Sequence, residues 1–238
     1  MVKVGSNWYD VEVSSTTENY LKRILAETQR TGGKIVTLGR VAALSNVTPG
    51  TVTTMMKNLA DVGFVEYLPR QGVRLTQLGI KNATQMLRRH RLVELFLVEI
   101  LGFDWSDVHS EAEVLEHAVS DRVIDRIDEI LGNPTADPHG DPIPTSTGKV
   151  TSASVRLLAD VGTPGVFTVS RVSNDEPRFL DFLKEKKLTP GQTIYVVERD
   201  TIAQTIDIRA NDVSVTLSLA VAGRIFVNGP SRKSTGDG

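Results

Sequence analysis

The sequence predicts a chain that is mainly α-helical to about residue 144 and ends in a small β-rich part. Three observations predict it. Apolar residues recur at helical spacing in successive stretches between Leu21 and Val119. Apolar and polar residues alternate at strand spacing in short runs between Gly165 and Val227. A polar linker, Pro144-Thr145-Ser146-Thr147-Gly148-Lys149, marks the change of pattern. The chain has 238 residues, 40% apolar and 24% charged, which is ordinary for globular proteins and excludes wholesale disorder. No apolar run approaches the ~18 residues of a membrane span, and the polar start lacks a secretory apolar core. A cytoplasmic protein without membrane contact is expected. The absence of cysteine excludes disulfides, zinc fingers, iron–sulfur clusters and cysteine nucleophiles.

Thr16 or Thr17 can cap a first helix in which Leu21, Ile24 and Leu25 share a face, ending near Gly32-Gly33. A short helix follows from about Thr37 to Leu44, then a tight connection at Ser45-Asn46-Val47. Thr48 caps a third helix, with Pro49 at its first position, where a missing N–H costs nothing. Val52, Met55, Met56 and Leu59 form its apolar stripe. Its other face carries Gly50, Thr51, Thr53, Thr54 and Lys57. Small, hydroxylic and basic side chains suit close approach to a groove, bonding to phosphates and base edges, and contact with thymine methyls. Gly63–Tyr67 and Val73–Thr76 read as a hairpin with Arg70 at its tip. Helix, helix and hairpin in this order give a winged helix-turn-helix, with Thr48 and Arg70 joining the third helix as candidate DNA contacts.

Charge is unevenly spread. Residues 1–100 carry 13 Lys and Arg against 8 Asp and Glu, whereas residues 101–150 carry 3 against 11. The basic part suits a polyanion and the acidic block suits cations. Three of the four histidines, His90, His109 and His117, lie in one stretch. His90 and Glu94 share one face of a helix running from Gln77 to Ile100. On a second helix, from about Asp107 to Val119, His109 and Glu113 are one turn apart, and Glu113, Glu116 and His117 sit at i, i+3 and i+4. Imidazole and carboxylate without sulfur favour a borderline-to-hard divalent ion such as Mn²⁺ or Fe²⁺. An isolated Glu–His pair is usually a solvated surface pair, but two such groups on neighbouring helices point to a metal site. No HExxH helix, phosphate loop, nucleophile elbow or dinucleotide fingerprint is present, so no enzyme is expected.

The segments Met86–Glu94, Val108–Asp121 and Asp137-Pro138-His139-Gly140-Asp141-Pro142-Ile143-Pro144 closely resemble the diphtheria toxin repressor family of metal-activated repressors, nearest its manganese-responsive branch. The resemblance implies an ancillary metal site at His90, Glu94 and His109, and a primary site at Glu113, Glu116 and His117 with Asn19 from the first helix. Glu113 and Asn19 stand where iron-type members carry cysteine and methionine, an exchange that moves preference towards manganese. Lys22 stands where some manganese members have a glutamate ligand, which favours two separated sites over a closely spaced ion pair. The resemblance also implies a homodimer that binds a double-stranded palindromic operator, represses manganese-uptake genes and takes no small molecule besides the metal. An iron-dependent repressor of the same fold is the alternative. A metalloenzyme and a metal-independent DNA-binding protein are the rivals from other classes.

The C-terminal part alternates at Gly165–Val172, Thr193–Val197, Ile206–Ile208, Val213–Leu217 and Ile225–Val227, with a short helix from Arg178 to Lys187. It resembles the SH3-like (FeoA-like) domain of longer family members, from which a carboxylate, here Asp175 or Glu176, reaches the ancillary metal. The expected organisation is a DNA-binding domain at 1–80 and a helical dimerisation and metal-binding domain at 81–144. A linker at 145–155, the SH3-like domain at 156–230 and a disordered tail at 231–238 follow.

Overall fold

The computed structural model describes residues 14–151, 154–174, 176–211 and 213–229. Asp175 and the tail 231–238 lie outside the described residues. The chain divides into two compact units, one running to Arg89 and including Pro144–Gly148, the other made of His90–Ile143 and the chain from Lys149 onward.

In the first unit, helix α1 (Ser15–Thr31) is capped by Ser14, whose hydroxyl accepts the Thr17 N–H, and ends at Gly32 in the left-handed conformation, φ +65°. The cap lies slightly upstream of the expected Thr16 or Thr17 because Ser14 has extended backbone and a cap-forming side chain. Helix α2 (Leu38–Ser45) is capped by Thr37 and stopped by Asn46 at φ +51°. Helix α3 (Pro49–Asp61) has the expected Thr48 cap and Pro49 at its start. Strands β1 (Val65–Leu68) and β2 (Gly72–Leu75) pair antiparallel. Helix α4 (Gln77–Glu99) then starts in this unit and continues into the second. Its first turn lies hard against the hairpin: a Cβ on Gly79 would come within 2.0 Å of the Phe64 carbonyl oxygen. Leu21, Ile24, Val41, Val52, Met56, Leu59 and Val73 form the buried centre. Each such aliphatic side chain contributes about 1.5–3 kcal/mol on burial.

One ion cluster, in which only the carboxylate is buried, joins α1 to α2. Glu27 accepts from Arg30 at 2.7 Å and from Arg40 at 3.1 Å. Hydrogen bonds from Arg30, then Arg40, outweigh burial and lower the Glu27 pKa to about 2. A depressed folded-state pKa stabilises above the unfolded value and is lost as pH falls through the folded one. Glu27→Gln is therefore expected to cost about 1–2 kcal/mol at pH 7, after screening by the exposed arginine ends, and almost nothing near pH 2. Urea denaturation at the two pH values checks this; an equal loss at both would exclude the ion cluster as the cause.

The second unit opens with the rest of α4, followed by α5 (Val108–Ala118) and α6 (Asp121–Ile130). Sequence periodicity did not single out α6, although Ile124 and Ile127 bury its inner face with Leu92, Val93, Leu97, Val108 and Ala112. Six antiparallel strands follow: β3 (Arg156–Leu157), β4 (Gly165–Val172), β5 (Thr193–Asp200), β6 (Thr205–Ala210), β7 (Val213–Ser218) and β8 (Ile225–Asn228). Their order in the sheet is β3-β8-β4-β5-β6-β7. Helix α7 (Pro177–Glu185) and the single turn α8 (Leu219–Ala222) complete the unit. Helix α7 stops short of Lys187, which has φ +57° and cannot continue a helix. Leu158, Phe167, Val169, Leu183, Ile194, Ile206 and Val227 are among the side chains filling the sheet's core. No described helix is long and apolar enough to cross a membrane.

Candidate metal centre and nucleic-acid interface

Helical spacing aims His90 and Glu94 from α4 towards α5, which presents His109, Glu113, Glu116 and His117. All six side chains meet in one continuous cluster. His90 Nδ1 lies 2.5 Å from Glu116 Oε2, and His90 Nε2 lies 2.9 Å from Glu94 Oε1. His109 Nδ1 is 3.0 Å from the same Glu94 oxygen, and the two imidazole rings meet edge-on. Glu113 is 3.8 Å from His109 Nε2, and His117 Nε2 is 3.4 Å from Glu116 Oε1. His90 thus stands between two carboxylates, Glu94 and Glu116, that are both 0% exposed. His90, Glu94 and His109 offer donor atoms within 4.8 Å of one another, and so do His90, Glu113 and Glu116.

The structure adds a third group, Glu94, Asp137 and His139, with donor atoms equally close. His139 is fully buried, stacks on Trp105 at 5.5 Å between ring centres, and places Nε2 2.9 Å from the Trp105 carbonyl oxygen. A carbonyl only accepts, so Nε2 carries a proton, and in the neutral ring Nδ1 has a lone pair. That lone pair faces Glu94 Oε2 at 3.9 Å. Asp137 Oδ1 accepts the His139 and Asp141 N–H groups at 2.8 and 2.9 Å. Asp137 Oδ2 and Glu94 Oε2 are buried and accept no hydrogen bond from any described residue. Spacing arguments passed over this loop because it is not helical, and no periodicity relates His139 to Glu94. The usable signal was the fourth histidine itself, two residues from an aspartate.

Glu94, Asp137 and His139 thus gather two buried carboxylate oxygens without hydrogen bonds and an imidazole nitrogen in an acceptor-rich pocket, with Arg91 Nε 3.6 Å from Asp137 Oδ2 as its nearby cation. Such a pocket is costly unless a cation or a proton occupies it. Without a cation, burial, then the charges of Asp141 and Glu94, push the Asp137 carboxyl well above the usual range, with Arg91 opposing. Burial also acts to raise Glu94, but the His90 charge and hydrogen bonds from His109 and His90 overcome it and hold Glu94 below that range. The residues fit a divalent ion: their donors are carboxylate oxygen and imidazole nitrogen, with no sulfur, and a histidine anchored on a backbone carbonyl is the usual companion of a metal ligand.

The remaining expected ligands are Asn19, Asp175 and Glu176. Asn19 lies half-buried on α1 in the first unit. Asp175 falls outside the described residues. Glu176 accepts from Arg224 at 2.9 Å. Beside His139 stands Asn174, its amide nitrogen 3.5 Å from Nδ1; turned over, the amide would offer its oxygen instead.

On α3, Gly50, Thr51, Thr54 and Lys57 are exposed along one stripe, while Thr53 is half-buried. The Thr53 and Thr54 hydroxyls donate to the carbonyls of Pro49 and Gly50 at 2.8 and 3.3 Å. Thr48 spends its oxygen on the Thr51 N–H cap. Arg70 is exposed at the hairpin turn with φ +66°, and an Arg74–Glu66 ion pair braces the two strands. Thr54→Ala is expected to weaken binding to a specific site by about tenfold and to leave non-specific binding nearly unchanged. Equal losses on specific and random duplexes would remove Thr54 as a base reader.

Comparison with known proteins assigns this arrangement. Residues 12–73 match the iron dependent repressor N-terminal DNA binding domain, residues 76–145 its metal binding and dimerisation domain, and residues 156–229 the FeoA domain. A solved manganese-dependent transcriptional repressor in complex with manganese is 36% identical, with a TM-score of 0.81, over 89% of this chain and 98% of that one. An HTH-type transcriptional regulator of Methanocaldococcus jannaschii is 39% identical over 115 residues, 48% of this chain and 91% of the relative. The iron-dependent repressor IdeR of Mycobacterium leprae is 28% identical over 228 residues, 91% of this chain and 98% of the relative. The chain belongs to the diphtheria toxin repressor family of metal-dependent transcriptional repressors, which are not enzymes; they bind DNA through the N-terminal domain, dimerise through the metal-binding domain and, in this branch, end in an SH3-like FeoA domain.

Proposed function

We propose that this protein is a manganese-activated dimeric repressor that binds a palindromic operator and controls metal-uptake genes in the cytoplasm. The observation that carries the reading is the sulfur-free cluster from Glu94 to His139, in which two buried carboxylate oxygens accept no hydrogen bond from any described residue. Oxygen and imidazole donors favour Mn²⁺ over softer ions. The similar solved repressor described with manganese supports the same choice.

The assigned ligands are His90, Glu94, His109, Glu113, Glu116 and His117, to which the geometry adds Asp137 and His139. They form two poles, Glu113–Glu116–His117 and Glu94–Asp137–His139, with His90 and His109 beside them. A bound divalent ion supplies positive charge to carboxylates that otherwise repel. Asn19 is retained as a donor from the DNA-binding domain on the family resemblance alone. Thr48, Gly50, Thr51, Thr53, Thr54, Lys57 and Arg70 are the proposed DNA contacts. Domain limits near 80, 144, 155 and 230 are part of the proposal, supported by the matched ranges. Exposed Ile100, Leu101, Phe103, Val114, Val123 and Ile130 offer apolar surface for the dimer. In such a dimer two copies of α3 would stand about 34–36 Å apart, one turn of DNA. Ordering the reading heads before they meet DNA reduces the freedom lost on binding, and so raises affinity.

Iron is the second reading, favoured by the full-length likeness to IdeR and by the ability of Fe²⁺ to take the same donors. One operator-binding titration with Mn²⁺, with Fe²⁺ under anaerobic conditions, with Zn²⁺ and with chelator separates the readings. Activation by Mn²⁺ at concentrations where Fe²⁺ is weak supports manganese, and the reverse supports iron. Equal binding in chelator would overturn both.

A further inference from the structure

The metal-binding loop from Asp137 to Ile143 is held from two sides. From α4, Arg91 donates to the Pro142 carbonyl at 2.5 Å and lies 3.7 Å from Asp141. From the FeoA domain, strand β4 meets the loop directly. The Val172 N–H donates to the His139 carbonyl at 2.9 Å. Gly140 sits at φ +85°, so close that a Cβ there would be 2.0 Å from the Ser170 carbonyl oxygen. The register of β4 against β8 shifts between Val169 and Arg171, so the strand bulges beside the loop. A bulge of this kind re-aims the side chains around it. Arg171 lies with its guanidinium carbon 3.9 Å from the centre of the Phe226 ring and donates to Asp141 at 3.3 Å. The Asp141 N–H in turn holds Asp137 Oδ1, leaving Oδ2 without a hydrogen bond from any described residue and 3.6 Å from Arg91 Nε, in a carboxyl group that shares a donor cluster with Glu94 and His139. The loop borders a cavity of about 340 Å³, lined in part by Thr135, Gly140, Pro142 and Arg171.

We propose that Arg171 of the FeoA domain is a positioning residue for the Glu94–Asp137–His139 pole: by gripping Asp141 it fixes the loop that orients Asp137, and so sets the metal affinity of that pole. The inference rests on the metal-binding reading above and assigns to the FeoA domain control over one pole and not the other. The planar guanidinium, stacked on Phe226, loses little freedom in making this contact, which a flexible ammonium would not reproduce. Second-sphere partners of metal ligands typically set affinity by about 10–100-fold.

The test removes the pair at constant net charge. Full-length Arg171→Gln/Asp141→Asn is compared with the parent protein, both carrying Trp8→Phe so that emission reports Trp105 alone, stacked on His139. Mn²⁺ is titrated by Trp105 fluorescence and, in parallel, by electron paramagnetic resonance of free Mn²⁺. The expected result is about tenfold weaker binding at the fluorescence-reported pole, unchanged affinity at the other pole, and unchanged thermal stability without metal. An affinity within twofold of the parent overturns the assignment, as does equal weakening of both poles, which marks a general structural defect. If the double variant does not fold, Arg171→Lys replaces it: about threefold or greater weakening at the same pole is expected, and parental affinity overturns the assignment. Failure of the parent to bind Mn²⁺ at all would instead overturn the metal-binding reading.

Discussion

Replacing Glu116 with alanine is expected to lower metal-dependent operator affinity by at least about 100-fold while leaving a folded dimer. Glu116 is fully buried, and it joins the α5 carboxylates to His90 at 2.5 Å. Its removal takes away a donor and leaves His90 without the carboxylate that orients Nδ1. Glu116→Gln keeps the shape and removes only the charge, so it should lose metal response nearly as far. His117→Ala should act in the same direction. Fluorescence anisotropy of a labelled operator across a Mn²⁺ titration measures the loss, and sedimentation of the metal-free protein checks the dimer. Undiminished activation in these variants would exclude the α5 donors from the metal site.

The second large effect is expected at Asp137, and it has opposite signs with and without metal. In the metal-free protein, Asp137 is a buried carboxyl with one oxygen that accepts no hydrogen bond from a described residue, with Glu94 nearby and Arg91 Nε at 3.6 Å. Its raised pKa means that it stabilises the fold when protonated at low pH and loses that contribution as pH rises through the folded value. Asp137→Asn removes the charge at nearly constant volume. It should therefore raise metal-free stability at pH 7 by about 1–3 kcal/mol. The same change removes an anionic ligand, so the metal-induced gain should shrink. A single site at 100 times its Kd contributes about 2.7 kcal/mol, and the variant should lose most of that at this pole. Thermal melts in chelator and in excess Mn²⁺ show both effects. A variant that lost stability in chelator and kept the full metal-induced gain would contradict the acceptor-rich pocket.

Much of the helical half is legible in the sequence because its signals are local. Thr37 and Thr48 are caps, Pro49 sits where a helix starts, and Gly32 sits where one ends. The α5 donors are legible for the same reason, since i, i+3 and i+4 spacing decides which side chains share a face. Helix α6 escaped notice although its apolar residues have helical spacing: with Val123 and Ile130 exposed, only Ile124 and Ile127 face the core in a short and otherwise charged segment. His139 escaped for a different reason. Its meeting with Glu94 depends on a loop folded back by Asp137, Arg91 and strand β4, and no local rule encodes that path. The FeoA contribution was sought at Asp175 or Glu176, whereas Asn174 is the described residue beside His139. Asp175 itself lies outside the described residues.

Anomalous diffraction from crystals of the full chain soaked in Mn²⁺, recorded on both sides of the manganese absorption edge, tests the central claim most directly. The account predicts manganese peaks within about 2.5 Å of carboxylate oxygen and imidazole nitrogen, one among Glu113, Glu116 and His117 and one among Glu94, Asp137 and His139. Density free of manganese at both places, with Glu94 and Glu116 still paired to His90 at saturating metal, would contradict it.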